Sequence, residues 1–206
     1  QQEVAEVFEA KARETSSQLR FANREWETRS QSLTDDQLQM KLRHYDGPEL
    51  DVVSQLSGPH QAKNLITALE AVRTLSETDW NVTREHFKSG INRVVSNTGL
   101  KGRWQVLGRN PLIIADTAHN REGLEPNIKR LLSNREPKQL HFVWGMVNDK
   151  DVSKTLAMLP KESSYYFCRP DVPRGLEVKH LTESAKEIQL KHIPFPSVNE
   201  ALEAAK

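Results

Sequence analysis

The stretch that most constrains this chain runs from Pro111 to Gly123, PLIIADTAHNREG. Leu112, Ile113, Ile114 and Ala115 run unbroken into Asp116, and helical spacing begins just past Asn120. An apolar run without alternation reads as a buried strand of a sheet covered on two sides, and the polar cluster then lies where that strand hands over to a helix. That handover is the carboxyl edge of the sheet. In open α/β folds ligands collect there, because strand ends project side chains into the crevice while the next helix offers its free N–H groups. Asp116, His119 and Asn120 are therefore placed to touch a ligand. A plainer reading stands beside this one, since Asp and Asn before a helix are ordinary caps.

The chain has 206 residues, enough for one large domain or two small ones, and its 36% hydrophobic and 28% charged content is that of a globular protein. Twenty-nine basic residues against 28 acidic ones leave a net charge of +1, so no field-scale attraction to nucleic acid or to an acidic membrane is expected. One cysteine, Cys168, excludes an internal disulfide and reads as a buried, inert thiol in a reducing compartment, with the cytoplasm as the default. No apolar stretch approaches the roughly 18 residues of a membrane helix. The start, QQEVAEVFEAKARE, has neither a signal peptide's apolar core nor an initiating Met, and Val4, Val7, Phe8 and Ala12 already fall at helical spacing. A fragment of something longer is the expectation.

After that helix, Leu19 and Phe21 alternate with polar neighbours over Gln18 to Ala22, a short strand signal, and Trp26 to Asp36 reads as polar connection. Leu38, Met40 and Leu42 alternate with Gln39, Lys41 and Arg43, and the turn Asp46-Gly47-Pro48 leads to a second strand, Leu50 to Leu56, which predicts an antiparallel pair. Helices follow over Gln61 to Leu75 and over about Thr83 to Val95. Ser96-Asn97-Thr98-Gly99 is the best boundary in the chain. Beyond it strands and helices alternate: strands at Arg103 to Leu107, Leu112 to Ala115, Leu140 to Trp144, Tyr165 to Cys168 and His192 to Phe195. Helices fall near Glu122 to Ser133, Asp151 to Leu159, Thr182 to Gln189 and from Val198. The first two strands, joined by Gly108-Arg109-Asn110-Pro111, look like a hairpin, and the rest implies parallel pairing in a doubly wound α/β domain. No strand follows the final helix, so the carboxyl end reads as cut short.

None of the nine glycines forms G-x-x-x-x-G-K-[ST] or G-x-G-x-x-G, which excludes a self-sufficient phosphate-cradling loop or dinucleotide fingerprint. The seven histidines are scattered, and no Cys/His group has metal-ligand spacing. Four short stretches remain: Gly58-Pro59-His60-Gln61-Ala62-Lys63-Asn64, Gly102-Arg103-Trp104, Asp116 to Asn120, and Gly145 to Asp151 (GMVNDKD). Each has a structural explanation alone: GPHQ starts a helix, Asn64 is a surface amide, Arg103 pairs with a carboxylate, and GMVNDKD ends a strand and caps a helix.

In this order and across this boundary, however, the chain resembles the Mur ligase superfamily, and within it the folylpolyglutamate synthase/dihydrofolate synthase branch. There a G-x-H-Q-x-x-N helix start precedes a helix pair, G-R-W-Q opens the last domain, D-x-A-H-N follows its second strand, and G-x-x-x-D-K-D lies one strand later. The resemblance implies that residues 1–97 are the tail of a central ATPase domain, strands plus a helix pair, and that 98–206 are most of a Rossmann-like, mostly parallel carboxyl-terminal ligase domain lacking its last strand.

The resemblance also implies a reaction. ATP phosphorylates a carboxylate of dihydropteroate or a folate, the amine of L-glutamate attacks the acyl phosphate, and the tetrahedral intermediate collapses with loss of phosphate. It assigns Asn64 to the adenine side of ATP, Arg103 to phosphate, Asp116 to the ribose hydroxyls and His119 to the glutamate substrate, with a hinge near Ser96 to Gly99. Mg²⁺, its ligands, the P-loop and the pterin pocket are expected outside this chain, so the chain by itself is expected to be inactive. A cytoplasmic monomer of folate and one-carbon metabolism, with small-molecule substrates and neither nucleic acid nor membrane as partner, completes the expectation. Two alternatives remain: another Mur-type amino-acid ligase, acting on the peptidoglycan precursor, and a non-catalytic α/β binding domain in which Asp116 and His119 are only caps.

Overall fold

The computed structural model of the chain describes residues 4–34, 36–148 and 151–206. By Cα proximity it divides into two compact units, Gln1–Gln105 and Val106–Lys206.

The first unit opens with helix α1 (Ala5–Glu14) and the single turn α2 (Ala22–Glu25), and continues into a three-stranded antiparallel sheet of β1 (Trp26–Leu33), β2 (Leu38–His44) and β3 (Glu49–Ser54), in that order. The β2 alternation does what a half-buried strand must: Leu38, Met40, Leu42 and His44 turn inward, and the β3 register sets Leu42 opposite Leu50 and Met40 opposite Val52. Onto that face pack Ala62, Leu65 and Leu69 of α3 (Gln61–Ser76) and Phe87 of α4 (Arg84–Asn92), closing one core with Trp26.

Three expectations for this unit need correction. Gln18 to Phe21 form no strand, and Ala22 begins the turn α2, where the Arg24 guanidinium lies 4.2 Å from the Phe21 ring centre. Trp26 to Leu33, read as connection, is the edge strand β1. Its two ends, Trp26 and Leu33, turn toward the core while Glu27–Ser32 are exposed, and the register shifts between Thr28 and Ser30, which erases any period of two. The long helix expected over Thr83 to Val95 is broken at Arg93 into α4 and the short α5 (Val94–Thr98), which Gly99 ends. Gln55 accounts for the break, because its side-chain carbonyl accepts from the backbone N–H groups of Val95 (3.0 Å) and Ser96 (3.4 Å), capturing donors that a continuous helix would need.

β4 (Gln105–Arg109) and β5 (Leu112–Ala115) form a two-stranded sheet of their own, joined through a cis Asn110-Pro111 peptide, as the hairpin reading expected. The placement of β5 inside the main sheet is overturned: each of its residues is half-buried, and its hydrogen-bonded neighbour is β4. A four-residue apolar run is too short to report by itself which sheet it joins.

The second unit is the expected α/β domain. β6 (His141–Trp144), β7 (Ser164–Phe167) and β8 (His192–Pro194) pair in parallel, with α7 (Val152–Leu156) and α8 (Val178–Glu187) as crossovers. The central strand β7 is covered on both faces. Tyr165 and Phe167 meet Leu124 and Ile128 of α6 (Arg121–Asn134), Leu156 of α7, and Leu181 and Ala185 of α8, whereas Tyr166 and Cys168 meet Ala201 of α9 (Val198–Ala205). Helices on both faces of a parallel sheet define the doubly wound arrangement. Cys168 is the buried thiol expected, its pKa pushed up by burial. Among the described residues, no helix is long and apolar enough to cross a membrane.

Candidate functional site

The first turn of α3 carries the GPHQAKN stretch. The carbonyl of Gly58 accepts from the Gln61 backbone N–H at 2.9 Å, which turns the chain into the helix. Gln61 is buried at 4% exposure, and its side chain bridges two others: Asn64 Nδ2 donates to Gln61 Oε1 at 3.1 Å, and Gln61 Nε2 donates to His60 Nε2 at 2.8 Å. Asn64 itself is exposed. The sequence marked Asn64 and left Gln61 as a helix starter. The signal for its larger role was a polar residue at the head of a helix whose Ala62, Leu65 and Leu69 face the core.

Arg103 lies between Gly102, at φ 68°, and Trp104, at φ 52°. A left-handed pair so close in sequence needs a glycine at one member and an anchor at the other. Trp104 is that anchor, 3% exposed, and the Gly102 N–H donates to Gln105 Oε1 at 3.0 Å. Arg103 is half-buried on this pinned turn, immediately before β4.

Asp116 follows β5 directly and folds back on its own turn, Oδ1 accepting from the Ala118 N–H at 2.7 Å. Ala118 packs against the core of the second unit, so the turn is tied down at one end. His119 is exposed and its Nδ1 donates to the Thr117 carbonyl at 3.0 Å, which leaves Nε2 as the acceptor of the neutral ring. Asn120 is the N-cap of α6, its Oδ1 accepting from Gly123 N–H at 3.0 Å. The capping reading therefore holds for Asn120. The turn brings Asp116 and His119 together at the amino end of a 14-residue helix, whose partial positive charge favours anions. Asn64 and Arg103 belong to the first unit, Asp116 and His119 to the second.

The GMVNDKD stretch leaves the carboxyl end of β6. A Cβ built on Gly145 would lie 2.8 Å from Pro170 Cγ and 2.9 Å from the Cys168 carbonyl, so the segments leaving β6 and β7 approach as only a glycine allows. Backbone bonds from Leu176 to Met146 (2.8 Å) and from Asn148 to Arg174 (3.0 Å) continue that closure. Asp149 and Lys150 lie outside the described residues. Asp151 caps α7 through Lys154 N–H at 3.0 Å; that backbone bond, with the Lys154 ammonium 2.9 Å away, holds its carboxyl below the usual range.

Among the described residues no group of three or more His, Cys, Asp or Glu side chains converges as a metal site would require. The described side chains thus form no ready-made cage for a divalent ion.

The family described as Mur ligase, glutamate ligase domain, matches residues 102–206. The dihydrofolate synthase/folylpolyglutamate synthase of Escherichia coli strain K12 is 32% identical over 144 residues, covering 69% of this chain and 31% of that protein. A probable bifunctional folylpolyglutamate synthase/dihydropteroate synthase of Haloferax volcanii is 30% identical over 130 residues, 63% of this chain and 15% of its own length. The chain thus spans less than a third of either relative. Among solved structures, Mycobacterium tuberculosis folylpolyglutamate synthase complexed with ADP and AMPPCP superposes with a TM-score of 0.84 at 23% identity, over 98% of this chain and 45% of that one, a likeness of fold. E. coli FolC in complex with ADP, without folate substrate, gives 0.68 at 28% identity, over 94% and 43%. With the glutamate ligase family matched over the turns that carry Arg103, Asp116 and His119, and over the parallel sheet beyond them, the chain belongs to the Mur ligase family.

Proposed function

We propose that this chain contributes the glutamate ligase domain, residues 98–206, and the adjoining part of the central domain, residues 1–97, to an ATP-dependent ligase that adds L-glutamate to dihydropteroate or to folates. One observation carries the reading: the Asp116 carboxylate, fixed by the Ala118 N–H at the amino end of α6, lies inside the stretch that matches the glutamate ligase family. The relatives named above act on folates by name, and the solved structures from M. tuberculosis and E. coli hold ADP.

The roles follow from donor and acceptor chemistry. Asn64, exposed on α3, offers an amide to the base of ATP. Arg103, on its pinned turn, offers a planar cation to the phosphates, where charge builds as the γ-phosphoryl group leaves for the acceptor carboxylate. Asp116, a carboxylate and so an acceptor only, accepts from the ribose hydroxyls. His119, beside the positive end of α6, takes a carboxylate of the incoming glutamate through Nε2–H of its imidazolium form, in which both ring nitrogens donate. The glutamate amine then attacks the acyl phosphate, the C–N bond forms, and phosphate departs with the C–O bonding pair. Mg²⁺ would offset triphosphate charge in the intact enzyme, from ligands outside the described residues of this chain.

The test is kinetic. In the intact enzyme carrying this chain, Arg103→Ala is expected to lower kcat/KM for ATP by roughly 10- to 1000-fold, the loss of one charge-assisted phosphate contact. Unchanged ATP kinetics would remove Arg103 from the site.

A further inference from the structure

Gln55 is exposed, yet its side chain holds a segment 40 residues further along the chain. Its amide oxygen accepts from the backbone N–H groups of Val95 at 3.0 Å and Ser96 at 3.4 Å. A backbone N–H only donates, so the atom facing both is fixed as the carbonyl oxygen. In an unbroken helix those two N–H groups would bond the carbonyls of Ile91 and Asn92, four residues back. Gln55 therefore takes the bonds that would fuse α4 and α5. Arg93, at the junction, supplies no side-chain cap to α5. The post itself is firm: Gln55 follows β3, whose last residue, Ser54, is fully buried and accepts at Oγ from the Leu56 N–H at 3.0 Å.

What this clasp holds leads to Arg103. α5 has no buried residue, Gly99 ends it at φ 66°, and every residue from Ser96 to Lys101 is exposed. Packing does not fix this run; its ends do. Gln55 holds one end, and the buried Trp104, with the Gly102 N–H bonded to Gln105, holds the other. We propose that Gln55 is a positioning residue for Arg103: by keeping α4 and α5 apart it sets the direction from which the 96–101 run delivers the guanidinium to the phosphates. The proposal rests on the assignment of Arg103 to phosphate. Without the acceptor, the Val95 and Ser96 N–H groups return to α4, the helix runs on past Arg93, and the start of the run swings with it. A guanidinium displaced by about 1 Å keeps its charge and loses its bidentate fit, a fault worth up to about 100-fold in rate.

The experiment measures initial rates against ATP and against L-glutamate in the intact enzyme, for wild type, Gln55→Met, Gln55→Glu, Arg103→Ala and the double variant of Gln55→Met with Arg103→Ala, with melting temperatures alongside. Gln55→Met keeps the length and removes the acceptor. It is expected to lower kcat/KM for ATP by about 10-fold and to leave KM for L-glutamate unchanged. Gln55→Glu still accepts from both N–H groups, so its kcat/KM for ATP is expected to stay within about 3-fold of wild type. Because Gln55 acts through Arg103, the two losses do not add: on top of Arg103→Ala, Gln55→Met is expected to change kcat/KM for ATP by less than about 2-fold. A cap with no part in function would move the melting temperature and leave ATP kinetics alone, and that result overturns the proposal. So does a Gln55→Met loss that adds in full to that of Arg103→Ala, or one that Gln55→Glu shares. If Arg103→Ala leaves ATP kinetics unchanged, the phosphate assignment underneath has failed, and the positioning role falls with it. Should Gln55→Met not fold, Gln55→Asn, whose carbonyl stops one methylene short, is read by the same criteria.

Discussion

Glu70 is a buried carboxylate on the core side of α3 that is held by three side chains: Trp26 Nε1 at 2.9 Å, Arg73 through Nε at 3.2 Å and Nη2 at 3.3 Å, and Arg20 Nη1 at 3.5 Å. Arg20 also reaches Glu77, two turns further along at the end of α3, and so ties the segment before β1 to the helix. Burial by itself would raise the Glu70 pKa, but the bonds from Arg73 and Trp26 outweigh it and hold the carboxyl below its ordinary value. A carboxyl depressed on folding contributes stability above its unfolded pKa and loses it as pH falls through the lower folded value. Urea unfolding is therefore expected to show Glu70→Gln destabilised by about 1–3 kcal/mol near neutral pH, with the gap to wild type narrowing as pH drops below 4.5. A gap that stays constant down to acid would contradict the ion-pair account. None of this was legible in the sequence, because Arg20, Trp26 and Glu70 are distant in the chain and share no period. Asp116 was legible, since an acid at the end of an apolar run before a helix start is a local pattern.

At the scale of elements, what could be read depended on whether a pattern was local. β2 was visible through alternation and β3 through the turn before it, α3 through helical spacing after Gly58-Pro59 and α6 through spacing past Asn120, because each has one face on a core. β1 was hidden because an edge strand with a register shift need not alternate, and the α4–α5 break was hidden because Gln55 makes it from another part of the chain. The turn into α6 separates capping from binding. Asn120→Ala is expected to cost about 0.5–2 kcal/mol of stability in chemical denaturation and to leave KM for ATP unchanged, since its side chain is spent on Gly123. Asp116→Ala is expected to weaken ATP in the intact enzyme. If the two substitutions affect ATP equally, Asp116 is a cap like its neighbour and the ribose assignment is wrong.

At the scale of the molecule, the described residues form three hydrophobic clusters, one on the antiparallel sheet and one on each face of the parallel sheet, with no buried residue in common. The doubly wound class was readable because strands separated by helices of crossover length admit few alternatives. The location of β5 was not, since pairing with β4 is settled by a partner strand rather than by composition. Family membership rests on the match over residues 102–206; the proposed ligase activity rests on the chemistry assigned to four residues. The most direct test is incorporation of isotope-labelled L-glutamate by the intact enzyme, with ATP and either dihydropteroate or a reduced folate as acceptor, and with phosphate release followed in the same reaction. The expected result is one phosphate released for each glutamate joined, dependent on both ATP and the pterin acceptor. Labelled product without ATP, or no product with either acceptor while a peptidoglycan precursor is extended, would contradict it.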